Sequence, residues 1–214
     1  MELREHNIEI LSSLRKTIED YKLSNPLLVS SNKEYIENLK RQKRIMYIGQ
    51  ETNGWELKDN IDSIEECYLK FLYNGASNRE FWRFLKLIRN KKEISLNDII
   101  WSNALICGRY EEKGTPITTD LLEEISLENL KFLYNLLKPN MIIMVTGPNN
   151  PYYEIIQEFL KHINSSLVNL YPTTKDMLLI DEIKNIHYTY HPNYLNRRGK
   201  LLELSKTINS YYMK

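Results

Sequence analysis

The sequence predicts an α/β protein built on a mainly parallel sheet, and the prediction rests on three strand-sized apolar runs with helical stretches between them. The runs are 45–48, 99–106 and 141–145. Each is too short for a core helix and reads as a strand buried on both faces. Helical spacing of apolar residues covers about 61–73, 78–90 and 120–137, and a further helix at about 152–163 follows the third run. Strands separated by helices require crossover connections, which place helices on both faces of a parallel sheet.

The flanking regions follow the same logic. Leu3, Ile8, Ile10, Leu11, Leu14, Ile18 and Tyr21 recur at helical spacing, and Ser24-Asn25-Pro26 ends that helix. In the last third, 167–171 and 178–183 read as additional short strands, with Pro172 and two threonines as the turn between them. Residues 186–190 alternate apolar and polar and lead into His191-Pro192, and a final helix is expected over about 198–211. The 214 residues contain no repeat and no Pro/Gly-rich linker. One domain over 1–214, with an N-terminal helical extension to about residue 40, is the expectation.

Composition narrows the function classes. Hydrophobic residues make up 42% and charged residues 27%, which supports a sizeable core and excludes a disordered, collagen-like or coiled-coil chain. The 29 Lys and Arg against 28 Asp and Glu give a net charge of +1, so any nucleic-acid contact must come from a local patch. Such a patch exists: Lys184, Arg197, Arg198, Lys200, Lys206 and Lys214 face a single acid, Glu203, over 184–214. A second basic cluster, Lys40, Arg41, Lys43 and Arg44, precedes the first strand at the end opposite its C-terminal loop and reads as solvated surface. Cys67 and Cys107 lack CxxC spacing, so they read as two buried thiols and give no support to a disulfide scaffold, a Cys-rich zinc site or an iron–sulfur cluster. The first 22 residues carry charges throughout with no apolar secretory core, and no run approaches the ~20 apolar residues of a membrane span. A cytoplasmic location and no membrane partner are expected.

In open α/β sheets, ligands bind beyond the carboxyl ends of the strands. The loops to inspect are therefore 49–55, 101–103, 146–150 and 191–199. A carboxylate such as Glu51 can activate water or stabilise positive charge. A histidine such as His191 can donate to an oxygen that becomes anionic as a bond breaks. Asn103 offers an acceptor and a donor side by side, the complement of a nucleobase edge. This set suits cleavage of an N-glycosidic bond, in which the sugar becomes cationic and the departing base anionic. Each position also has a structural reading. Gly49 suits a positive-φ turn, Glu51 a solvated charge or the acceptor for the next helix's amides, Asn103 a satisfied core group, His191 an ordinary loop residue, and Trp55 and Trp101 simple packing. The Thr146-Gly147-Pro148-Asn149-Asn150 stretch lacks the glycine pattern of a nucleotide-cofactor loop.

The order of these loops resembles the uracil-DNA glycosylase superfamily over about residues 44–210. Ile48-Gly49-Gln50-Glu51 looks like that family's first motif, Gly-Gln-Asp-Pro-Tyr. His191-Pro192-Asn193-Tyr194-Leu195 looks like its second, His-Pro-Ser-Pro-Leu. Ile100-Trp101-Ser102-Asn103 looks like the strand that presents the base-reading asparagine. The resemblance implies a three-layer α/β/α sandwich with a central, mainly parallel four-stranded sheet. It also implies a monomer that excises uracil or a related base from DNA after flipping the nucleotide, without metal or organic cofactor. Carried over, Glu51 takes the place of the water-activating aspartate, His191 hydrogen-bonds the departing base, and Asn103, with Gln50 and Trp55, contacts the base. Asn193 and Tyr194, in the loop that abuts the minor groove, and Arg197 and Arg198, beside a phosphate, are the expected DNA contacts. Three departures stand out: Glu replaces Asp, Thr52-Asn53 replaces Pro-Tyr, and Asn193-Tyr194 replaces Ser-Pro. They keep two alternatives open, a base-binding module of the same fold without catalysis and a hydrolase of free nucleosides.

Overall fold

The computed structural model describes residues 1–41, 43–52, 58, 60–73, 79–90, 99–112 and 114–213. The elements run α1 (Leu3–Tyr21), α2 (Lys33–Arg41), β1 (Ile45–Gly49), α3 (Ile61–Tyr73), α4 (Glu80–Arg89), β2 (Ile99–Asn103), α5 (Asp120–Leu137), β3 (Met141–Met144), α6 (Tyr152–His162), β4 (Leu178–Asp181), β5 (Ile186–Thr189), α7 (Pro192–Arg197) and α8 (Leu201–Tyr212). The three apolar runs become β1, β2 and β3, and every residue in them is buried. Helix ends follow local chemistry. The Thr119 side chain accepts from the Leu122 amide at the start of α5, and Lys138 adopts a left-handed conformation at its end.

The strand order is β2-β1-β3-β5-β4. β2, β1, β3 and β5 are parallel, while β4 pairs antiparallel with β5. The sheet therefore has five strands and not the expected four. An antiparallel partner needs only a tight connection. Here the Asp181 carboxylate accepts from the Lys184 amide at 3.1 Å, and Asn185 takes a left-handed φ of 53° to complete the turn.

The run 167–171 is not a strand. Asn169 has a φ of 63°, and the Gln157 side chain of α6 holds both the Asn169 amide and the Leu170 carbonyl, which fixes the segment as a turn. α2 is a helix that the apolar pattern does not announce; Asn32 Oδ1 accepts from the Tyr35 amide at its start. The segment after His191, expected to be a loop, is the short helix α7.

Register places Tyr47 beside Trp101 on one face of the sheet. There Tyr47 meets Phe81 and Trp82 of α4, and Trp101 meets Tyr68 and Phe71 of α3. Further along the sheet, His187 of β5 meets Tyr211 of α8. A second helix group packs together through His6 of α1 on Phe132 of α5 and Tyr134 of α5 on Phe159 of α6. The result is an α/β fold with helices flanking an open, mostly parallel sheet. The N-terminal helix belongs to this body: Leu14 is fully buried, and the following chain is tied down by Ser24 N–H to the Gly108 carbonyl and Leu27 N–H to the Ile106 carbonyl. Among the described residues no helix is long and apolar enough to cross a membrane.

Candidate active site at the carboxyl ends of the parallel strands

β1 and β2 end in register at Gly49 and Asn103. Beyond them the two loops stay joined, because the Ala104 amide donates to the Gly49 carbonyl and the Leu105 amide to the Gln50 carbonyl, both at 2.9 Å. Gly49 is needed for space and not for backbone freedom. A Cβ there would stand 2.6 Å from Asn103 Oδ1 and 2.9 Å from Phe81 Cε2. The Asn103 amide and the Phe81 ring therefore both lie against Gly49.

Asn103 is 1% exposed, and among the described residues its Nδ2 has no hydrogen-bond partner. Leaving a buried amide unsatisfied costs on the order of 1–3 kcal/mol, so this atom calls for an acceptor. The Phe81 ring also stacks on the His191 imidazole, with centroids 5.9 Å apart at 24°. Phe81 is a residue that sequence reasoning did not single out. It links Asn103 at the end of β2 to His191 beyond β5.

His191 caps α7, its Nδ1 accepting from the Asn193 amide at 3.2 Å. Burial, with a smaller contribution from nearby Arg197, pushes its pKa down to about 4. The imidazole is therefore neutral near pH 7, and because Nδ1 is an acceptor, the ring proton sits on Nε2. His191 thus offers an Nε2–H donor held by its own helix cap.

Glu51 follows two residues after Gly49. It accepts a hydrogen bond from the Tyr152 hydroxyl, and Tyr152 is linked in turn to Thr115 Oγ1 at 2.9 Å. Because the Tyr152 proton is given to Glu51, Thr115 is the donor in the second bond. Burial raises the Glu51 pKa above the ordinary carboxylate value, and the Tyr152 hydrogen bond opposes that shift. Burial and the Glu51 bond both push the Tyr152 pKa up, which keeps the phenol a donor. Tyr152, 101 positions from Glu51, is the second residue that sequence reasoning did not single out.

The remaining expected residues divide clearly. Gln50 donates from Nε2 to the Thr146 carbonyl at 2.9 Å, so its amino group joins two loops. Trp55 lies outside the described residues. Trp101 is packed among Tyr68, Phe71 and Trp82. Asn193, Tyr194 and Arg197 stand on α7 and Arg198 just beyond it, with Arg197 and Arg198 exposed. A separate cavity of about 540 Å³, lined in part by His6, Phe132, Asn135 and His162, includes none of the expected site residues. Among the described residues no group of three or more His, Cys, Asp or Glu side chains is arranged to hold a metal ion.

Two predictions arise from this geometry. Gly49→Ala forces Asn103 and Phe81 aside, so it is expected to cost roughly 1–3 kcal/mol in urea unfolding and to abolish ligand binding at the site. The second concerns acid stability. Burial also pushes His187 of β5 down to about 4. The unfolded chain binds protons at both histidines below pH ~6.5, whereas the folded chain resists them until about pH 4. Stability is therefore fully present above pH ~6.5 and falls with pH across that window, by on the order of 3 kcal/mol per histidine. Urea unfolding between pH 7 and 4 checks this. His187→Gln is expected to flatten the decline by about one proton's worth of slope.

No protein-family model matches the chain, and no curated protein matches it significantly.

Proposed function

We propose that this protein is an N-glycosylase that releases uracil or another modified base from DNA. The observation that carries the reading is the meeting of three groups around Gly49 and Phe81: the buried Asn103 Nδ2, without a partner among the described residues, the aromatic ring of Phe81 itself, and the neutral donor His191. Together they offer a flipped base an edge to pair with, a ring to lie on, and a proton donor for the oxygen that gains charge as the glycosidic bond breaks. A neutral imidazole serves that step by hydrogen-bonding the departing anion. Glu51, ionised above its raised pKa, stabilises the cationic sugar or takes a proton from the attacking water. The resemblance of the Gly49-Gln50-Glu51 and His191-Pro192 loops to uracil-DNA glycosylases supports the same assignment. The test is incubation of purified protein with oligonucleotides holding uracil, hypoxanthine or other altered bases, followed by detection of abasic sites. Abasic product from at least one substrate supports the reading, and none from any base overturns it.

One observation favours a second reading. The Tyr152 bond engages a Glu51 oxygen, which suits a base-binding module that does not cleave. Salt-dependent DNA binding without abasic product selects that alternative. A hydrolase of free nucleosides would need the base site but not the basic segment, so it would stay active after charge reversal at Arg197 and Arg198.

A further inference from the structure

The rim beside His191 is built from tyrosine and arginine. Tyr190 stacks on Tyr194 with centroids 4.6 Å apart at 29°, and the Arg198 guanidinium lies over the Tyr194 ring, 5.2 Å from its centroid, bonded through Nε to the Tyr194 hydroxyl at 3.1 Å. Tyr171, 52% exposed, meets Tyr153 edge-on at 5.8 Å. Burial raises the Tyr190 pKa, with smaller contributions from Tyr194 and Tyr171. Leu170 beside it is 47% exposed. Arg197 lies near enough to His191 to lower that histidine's pKa. The Gly147 and Tyr190 loops hold this rim to the sheet, because the Gly147 amide donates to the Thr189 carbonyl and the Tyr188 hydroxyl to the Gly147 carbonyl. Buried elements thus fix the half-buried Tyr190 and Tyr194, and Tyr171 is the exposed ring of the rim.

We infer that this rim is a binding face for single-stranded nucleic acid. The inference rests on the glycosylase reading for the identity of the neighbouring site, and it adds the form of the substrate. Exposed aromatic rings and guanidinium planes capture bases by stacking, at any sequence, with nearby cations on the phosphates. A duplex hides the faces of its bases against one another, so a row of such groups has little to stack on there. The charge fits as well. Arg197 and Arg198 are exposed, and the one acid of the segment, Glu203, is paired with Lys200 at 2.6 Å. With a chain net charge of only +1, the long-range pull on a duplex is weak, and stacking must supply much of the affinity.

The test uses fluorescence anisotropy with undamaged, end-labelled thymidine oligonucleotides and their duplexes of equal length. The strand is expected to bind at least tenfold more tightly than the duplex. Tyr171→Ala and Arg198→Ala are each expected to weaken strand binding by roughly 5- to 100-fold, the range for losing one stacked base. Tyr171 is half-exposed, so its truncation leaves the thermal midpoint in place, and circular dichroism confirms this. Equal or tighter duplex binding overturns the inference. So does weak binding to both forms, or strand binding that Arg198→Ala reduces and Tyr171→Ala does not. The glycosylase reading fails separately: strand binding with these losses but no abasic product keeps the face and removes the enzyme.

Discussion

His191→Ala is expected to lower kcat/KM for base release by about 100- to 1,000-fold, the usual cost of removing one donor to a developing anion. The alanine also removes the α7 cap, worth about 1 kcal/mol, so a second variant separates the two roles. His191→Asn keeps an acceptor for the Asn193 amide but places no donor where Nε2–H stands. It is expected to retain the wild-type unfolding midpoint and to lose as much activity as the alanine. Because His191 titrates at about 4, it contributes no limb to the pH–rate profile between about pH 5 and 9. A profile with a basic limb removed by His191→Asn would show that the histidine acts as a proton-shuttling imidazolium instead.

Glu51→Gln is expected to lower kcat by about 100- to 10,000-fold, in the range of a lost general base. The carboxylate works when ionised, so wild-type activity falls as pH drops through the raised Glu51 pKa. The Tyr152 hydrogen bond stabilises the carboxylate form. Tyr152→Phe therefore moves the acid limb upward in pH while leaving the rate on the plateau nearly intact, and Glu51→Gln removes the limb altogether. A ¹³C titration of the Glu51 carboxyl reads the same upward shift without any turnover. No shift in Tyr152→Phe would reduce Tyr152 to a packing residue.

The strands were legible because burial on both faces leaves a continuous apolar run, as in Ile45-Met46-Tyr47-Ile48, and the candidate loops were legible because they begin where those runs stop. The cap was also within reach, since Pro192 suits the first turn of a helix and His191 precedes it. Phe81 was not. On α4 it is one apolar residue among Trp82, Phe84, Leu85 and Ile88, and its role comes from the missing Cβ of Gly49, a contact with no local signature. Tyr152 was hidden for the same reason, its partner being far away in the chain. The run 167–171 misled because its apolar pattern is overridden by the left-handed Asn169 and the Gln157 clamp. α2 escaped notice because it is short and charged, with Tyr35 and Leu39 as its buried anchors.

The central claim is that Asn103, Phe81 and His191 serve one ligand. It is tested most directly by titrating the ¹⁵N-labelled Glu51→Gln protein with free uracil and other free bases while following the side-chain NMR signals of Asn103 Nδ2 and His191 Nε2. The account predicts that one base moves both signals together along a single saturable curve. Movement of neither signal with any base, or of one without the other, would contradict it.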